Sequence, residues 1–308
     1  MISVIICTHN PRAEYLCRVL DGLRAQTLPK EQWELLLIDN ASTEKLADLW
    51  DLSWHPRGRI ICETEMGLTP ARLRGIRESG GELLIFVDDD NVLAADYLAN
   101  AVRLAAEWPM LGAFGASISG EFETPPPDWI LPYLEGLAIH ELDRDYWCNL
   151  GGLSPALPCG AGLCVRRRVA ADYFQKATTN SFRKMLDRSG ASLSSGGDSD
   201  LAECAIDVGL GTGRFAALKL LHLIPKGRLT ADYIVRLYAG FAASHEVLAS
   251  LRPKRRYPAS EGWKDELRFL FNYLRANGLR KKILRSTRKA QKQMRRLISA
   301  LPPTAPQR

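Results

Sequence analysis

The chain has 308 residues, of which 46% are hydrophobic, and a formal net charge of +6. That is enough apolar material for one large domain or two modest ones, and ordinary Gly and Pro levels exclude a collagen-like or low-complexity chain. No uninterrupted apolar run reaches about 18 residues, so no transmembrane helix is expected. The start, MISVIICTHN, lacks the basic flank and small-residue cleavage site of a signal peptide, so a cytoplasmic protein is expected.

The charge is uneven. From residue 276 onward there are ten basic residues and no acid, leaving 31 basic against 35 acidic residues in the rest. The main body is therefore not a nucleic-acid surface, and the basic character belongs to a tail. Seven cysteines are scattered without a CxxC pair, which reads as free thiols of a reducing compartment rather than a zinc site.

In chain order, ISVIIC (2–7) predicts a buried strand ended by the turn THNPR. Leu16, Val19, Leu20 and Leu23 recur at helical spacing, predicting an amphipathic helix over 12–26. WELLLIDN (33–40) is a second buried strand. STEKLADLW follows with Ser42 as its candidate cap, although Lys45 stands where a capping box would want Glu. RIICE (59–63) is a third strand, and LTPARLRGIRESG (68–80) a helix with Thr69 as cap and Pro70 at its first position. ELLIFVDDD (82–90) is a fourth strand, and 94–108 another helix. Further on, 111–123 reads as an outer strand, 125–134 as a rigid lead-in to a short helix, and 157–174 as loop, strand and helix. SSGGDSDLAECAIDVG (194–209) reads as a glycine-hinged loop, then a helix from Asp198 or Ser199. FAALKLLHLIP (215–225) is a strand with His222 near its end, and helices are expected over 230–251 and 261–275.

Strands alternating with helices predict an α/β fold with a mostly parallel sheet covered on both faces. Ligands of such sheets bind at the carboxyl ends of the strands. Polar residues gather at those ends: Thr8 to Asn10, Asp39 with Asn40, and Asp88 to Asp90. Three adjacent carboxylates repel one another and become favourable only beside a cation or donors. Oxygen ligands of this kind suit Mg²⁺ or Mn²⁺, commonly with substrate phosphates completing the shell. If the strand persists, alternation points Asp88 and Asp90 to one side and Asp89 to the other. GxxxxGK[ST] is absent, and no GxGxxG follows the first strand.

SVIICTHN, LLLIDNAST, GLTPARLRGI, LLIFVDDDN and GGDSDL occur in that order and at that spacing. Together they resemble the inverting family 2 glycosyltransferases of the GT-A fold, a Rossmann-like architecture, over roughly residues 1–225. HLIPKGRLTADYIVRLYAGFAASHEVL (222–248) looks like an ending shared by a bacterial subgroup of that family. The resemblance implies a catalytic domain over 1–225, its nucleotide-sugar half in 1–110 and its acceptor half in 111–225. A helical extension over 226–275 and a basic tail over 276–308 complete the expected organisation.

The resemblance also implies roles. Thr8, Asn10, Asp39, Arg72, Asp88 and Asp89 would bind the nucleotide sugar, a UDP-sugar being favoured, with Asp39 accepting from the base. Asp90 and His222 would hold Mn²⁺ or Mg²⁺. Asp198 matches the family's catalytic base, with Asp200 as its rival. Inversion at a sugar carbon needs one displacement, for which one carboxylate base suffices. The chain departs from the pattern at Leu73, where the family often has Asn, and at Gly197, where it commonly has Glu. Trp129 and Trp147 lie where the family varies to hold its acceptor, expected to be a glycan or a lipid-linked sugar of envelope or exopolysaccharide assembly. Ile283, Thr287, Ala290, Met294, Leu297 and Leu301 form one stripe on a basic helix, a pattern that suits contact with an anionic membrane, pairing with a partner helix, or a solvated end, the membrane being favoured. The competing enzyme class, a nucleotidyltransferase, would need a glycine-rich basic loop after the first strand, and THNPRAEYL has no glycine. A non-catalytic binding relative would have lost Asp90 or Asp198, and both are present.

Overall fold

The fold is that of a computed structural model, which describes residues 1–152, 154–187, 194–253 and 263–300. Among these, nine strands form one sheet: β1 (Ile2–Thr8), β2 (Trp33–Asn40), β3 (Gly58–Glu63), β4 (Leu83–Val87), β5 (Asn91–Leu93), β6 (Leu111–Phe122), β7 (Tyr146–Cys148), β8 (Leu163–Arg166) and β9 (Gly211–Ile224). The order is β3-β2-β1-β4-β8-β6-β9-β5, with β7 pairing β9 off this path. Strands β3, β2, β1 and β4 are mutually parallel. Beyond β4 the sheet is mixed: β8 is antiparallel to β4 and β6, while β6 and β9 are parallel.

The central strands read as continuous apolar runs because both sheet faces are covered. Val4, Ile6, Leu35, Leu37, Ile85 and Val87 point to one side, into a core shared with α1 (Ala13–Arg24) and α4 (Tyr97–Glu107). Their neighbours Ile5, Leu36, Ile38, Leu84 and Phe86 point to the other. There they pack on α3 (Leu68–Glu78), α5 (Arg167–Thr179) and α6 (Gly197–Asp207). The two-residue alternation of a strand thus sorts one sequence run into two cores. Each fully buried Leu or Ile contributes roughly 1.5–3 kcal/mol.

Several sequence expectations are corrected. The strand expected over 82–90 stops at Val87, so Asp88 to Asp90 lie in the turn before β5 and the alternation argument does not reach them. The outer strand expected over 111–123 is interior, between β8 and β9, and its alanines and glycines permit that close packing. Ser42 caps no helix: α2 (Leu46–Leu49) begins after Lys45. Helix α3 starts one residue before Thr69, with Gly67 at φ 134°, a conformation that excludes most side chains.

Helix α7 (Ala231–Leu251) follows β9, with Thr230 as its N-cap. After it come α8 (Trp263–Arg275) and α9 (Gly278–Ala300). The stripe on α9 is not presented to solvent as a whole. Ile283 is buried with Ile234 and Leu237 of α7, and Met294 packs on Val247 and Leu248. Leu297 stays 44% exposed. Leu301 lies outside the described residues. No helix among the described residues is long and apolar enough to cross a membrane.

Candidate active site

The carboxyl ends of β1 and β4 open into a cavity of about 810 Å³, within the range of small-molecule sites. Its wall includes Thr8, Arg72, Asp88, Asp89, Asp90, Asp198 and His222, residues drawn from five separate stretches of chain. Topology brings them together. Parallel register places Thr8 of β1 beside Asp39 of β2, while β4 ends beside β1. Strand β9 runs antiparallel to β5 with His222 opposite Asn91, which delivers the imidazole to the acidic turn.

In that turn, Thr8 donates its hydroxyl to Asp89. Burial first, and the Asp90 charge next, push the Asp89 carboxyl up to about 7. Asp90 Oδ2 meets His222 Nε2 at 3.4 Å and Arg228 Nη2 at 2.9 Å, while Asn91 Nδ2 donates to Asp90 Oδ1 at 2.9 Å. The Arg228 guanidinium also reaches His222 Nε2 at 3.0 Å, which makes Nε2 the acceptor there. His222 Nδ1 is buried without a hydrogen-bond partner among the described residues. Arg228 comes from the turn after β9 (Lys226–Leu229); the sequence reading gave it no role.

Arg72, on α3, is 5% exposed. Burial opposes its charge, but Asp187 and then Asp198 outweigh that cost and raise its pKa. Its Nη1 lies 3.1 and 3.2 Å from the Asp187 oxygens, and Thr69 donates to the same carboxylate at 2.6 Å. Asp187 also had no place in the sequence reading. It abuts Gly197, where a Cβ would lie 2.3 Å from Asp187 Oδ1. A side chain at 197 and the Asp187 carboxylate compete for one space, which gives a local reason for glycine at this position.

Asp198 sits in the first turn of α6, as its second residue, because the helix starts at Gly197, earlier than the expected Asp198 or Ser199. Its Oδ2 accepts from Gly160 N at 2.7 Å and its Oδ1 from Ser199 N at 2.7 Å. Asp200 turns the other way. It is fully buried and held by Arg183 and by Arg252, the latter at 2.6 Å. Asp172 and Asp207 form another acidic group, with Cys204; Lys176 bridges the two carboxylates at 2.6 and 2.9 Å.

Two expected binding residues stand apart from the cavity wall. Asp39 is 4% exposed, and its two oxygens accept from Ser42 N and Leu46 N, which fixes the loop leading to α2. Asn10 adopts φ 47° and accepts from Thr43 N. Trp129 and Trp147 are 40% and 55% exposed, and Trp147 lies 6.3 Å from Trp108. On another side the cavity is lined by Tyr233, Leu237, Phe241 and Leu248 of α7, so the extension after residue 225 forms part of the wall. Burial pushes the cavity thiols Cys7 and Cys159 each up to about 12, which disfavours their thiolates.

A mixed sheet with helices on both faces and an acid-rimmed cavity at its strand ends defines an α/β protein of the GT-A type. The chain belongs to glycosyltransferase family 2: residues 3–156 match the model described as "Glycosyl transferase family 2". Glycosyltransferase AglE of Haloferax volcanii is 34% identical over 92 residues, a stretch that is 29% of this chain and 30% of that relative, so the chain spans only about a third of that protein's length. Two solved structures share the fold. Staphylococcus aureus TarS 1–349 in complex with UDP-GlcNAc has a TM-score of 0.54 at 13% identity, covering 96% of this chain and 91% of that one. The Pyrobaculum calidifontis mannosyltransferase PcManGT in complex with GDP-Man and Mn²⁺ has a TM-score of 0.51 at 20% identity, covering 97% and 74%.

Proposed function

We propose that the chain is a metal-dependent, inverting glycosyltransferase that moves a sugar from a nucleotide-diphosphate donor to a hydroxyl of a glycan or lipid-linked acceptor. The observation that carries this reading is that Asp88 to Asp90, His222 and Asp198 line one cavity. Two structural neighbours are complexes with nucleotide sugars, UDP-GlcNAc and GDP-Man, which supports the donor class, and a UDP-sugar is favoured.

The residues fit a divalent cation. Asp90 Oδ2 and His222 Nε2 are 3.4 Å apart, near the roughly 3 Å expected of two adjacent ligands at about 2.1 Å in an octahedral shell. Arg228 already contacts both atoms, a cation drawn to the same pair. Three adjacent carboxylates beside that one guanidinium leave negative charge for a divalent ion to neutralise. Asp90 and His222 would hold Mn²⁺ or Mg²⁺, with Asp88 and Asp89 alongside. Such an ion, when bound, stabilises charge developing on a leaving diphosphate.

The chain's own groups do the rest. Asp198 takes the proton from the acceptor hydroxyl as that oxygen attacks the anomeric carbon, and the sugar–phosphate bond breaks on the opposite side. Arg72, held by Asp187, adds a fixed cation near Asp198, and Arg228 adds another at the acidic turn. Thr8 orients Asp89 through its hydroxyl. The aromatic and aliphatic wall from α7 suits an acceptor with an apolar part, in keeping with lipid-linked sugars of envelope or exopolysaccharide synthesis. The basic residues of 276–308 support a place at the inner face of the plasma membrane.

Titration calorimetry with UDP and GDP tests the reading. Binding is expected with Mn²⁺, and Asp90→Ala is expected to weaken it at least about tenfold. Equal affinity in chelator would remove the metal role, and no nucleotide binding under any condition would sink the proposal.

A further inference from the structure

Helices α8 and α9 run antiparallel. Glu266 pairs with Arg288 and Lys292, while Tyr273 lies beneath Lys281 and Arg285, 4.7 and 5.3 Å from its ring centre. Phe269 takes Arg288 at 5.6 Å. Glu266, Phe269 and Tyr273 therefore define the face of α8 turned to α9. Leu267, Leu270, Phe271 and Leu274 lie on another face, 49–69% exposed. Their spacing, with three or four residues between successive turns, makes one continuous stripe. Solvated helices rarely carry four large apolar residues at such exposure along one stripe.

Between the two helices lies a groove of about 660 Å³ lined by Phe269, Leu297 and basic residues including Arg285, Lys289, Lys292 and Arg296. At roughly 100° per residue, Lys289 and Arg296 of α9 fall on the flank of the antiparallel pair that also carries the α8 stripe. Apolar side chains and cations thus share one side of the hairpin. Over 263–300 the sequence has twelve basic residues and two acidic ones. This surplus repels a second copy of the same face and attracts an anionic surface.

We propose that this side of the α8–α9 hairpin docks on an anionic lipid bilayer, with Leu267, Leu270, Phe271 and Leu274 entering the acyl boundary and headgroup phosphates meeting the basic groove. This goes beyond the charge of the tail. The lipid-facing stripe belongs to α8, whereas α9 uses much of its own apolar stripe to pack on α7. The docking claim needs no transfer chemistry, although it would bring the cavity to lipid-linked acceptors.

The test is co-sedimentation of the full chain with phosphatidylcholine vesicles containing roughly a third phosphatidylglycerol, against phosphatidylcholine alone. Binding is expected only to the anionic vesicles, and expected to fall near 1 M salt, where the Debye length is about 3 Å. Leu270→Gln with Phe271→Gln should weaken it at least about tenfold. Lys289→Gln with Arg296→Gln should weaken it roughly thirtyfold, at about a factor of five per charge. Thermal melts unchanged from the parent would establish that these exposed substitutions leave the fold intact. Wild-type sedimentation in both variants, or equal binding to neutral vesicles, would overturn the proposal. So would a dimer, seen by sedimentation velocity, that the apolar pair dissolves without any vesicle binding. Nucleotide affinity without lipid is a separate readout: it should be unchanged in both variants, and its absence in the parent would defeat the transfer reading while leaving the vesicle result standing.

Discussion

Asp198 and Asp200 are two residues apart on α6, yet they belong to different regions with opposite electrostatic designs. Asp198 joins Asp88 to Asp90 on the wall of a cavity where acids outnumber nearby cations. Asp200 belongs to a layer beneath it, where Arg183 and Arg252 close on its carboxylate and Arg252 also reaches Glu203 at 3.3 Å and Asp207 at 3.2 Å. Arg252 follows the last residue of α7, so the lower layer ties α7 to α6. One group of acids faces the cavity; the other holds the cavity's walls together. Being acidic and buried therefore says little about function until the cations around each carboxylate are counted.

The largest effect that could break this contrast is on turnover. Asp198→Asn should leave nucleotide affinity and melting temperature near the parent's but reduce transfer by about 10²–10⁴-fold, the range for loss of a general base. Initial rates with a responsive donor–acceptor pair would measure it; near-normal turnover would move the base elsewhere. Asp200→Asn should behave in reverse. Removing the charge leaves two buried guanidinium groups facing a neutral amide, at a cost of about 3–5 kcal/mol. Urea denaturation should report that loss, while the fraction that remains folded keeps its kcat. A collapse of kcat with unchanged stability would reverse the assignment of the two aspartates.

The legible part of the molecule is the part built from contiguous runs. Strands β1, β2 and β4 could be read because burial on both faces writes apolar runs, and because a ligand at strand ends writes polar residues after them. The ends were harder. Asp88 to Asp90 look like the continuation of a strand, but the chain turns after Val87 to form β5, which periodicity alone does not reveal. Asp39 reads as a ligand-facing acid, yet its oxygens are taken by the backbone of the following loop, a local bond any strand-end aspartate can make. Arg228 and Asp187 left no signal. Their partners are Asp90, far back in the chain, and Arg72, 115 positions away, and such pairs are set by the tertiary fold. The same holds for α7: the sequence gives its helical period, but only packing makes Leu237 and Phe241 a wall of the site.

The smallest of these effects concerns the seam between the two regions, at Gly197. A methyl group there would lie 2.3 and 2.4 Å from the two Asp187 oxygens, well inside contact distance. Asp187 would have to move, and it is the residue that holds Arg72 and Thr69. Gly197→Ala should therefore cost about 1–3 kcal/mol, as overpacking of a filled interior does, and weaken nucleotide binding through Arg72. A simple loss of helix-start flexibility could mimic the stability change, so the pair must be tested as a cycle. If the clash is with the carboxylate, adding Gly197→Ala to Asp187→Ala should cost far less than adding it to the parent, giving a coupling well above the roughly 0.3–0.5 kcal/mol scatter of independent sites. Additive penalties in the melts would mean that Asp187 and Gly197 do not compete for one space, and that glycine at 197 answers to the helix start alone.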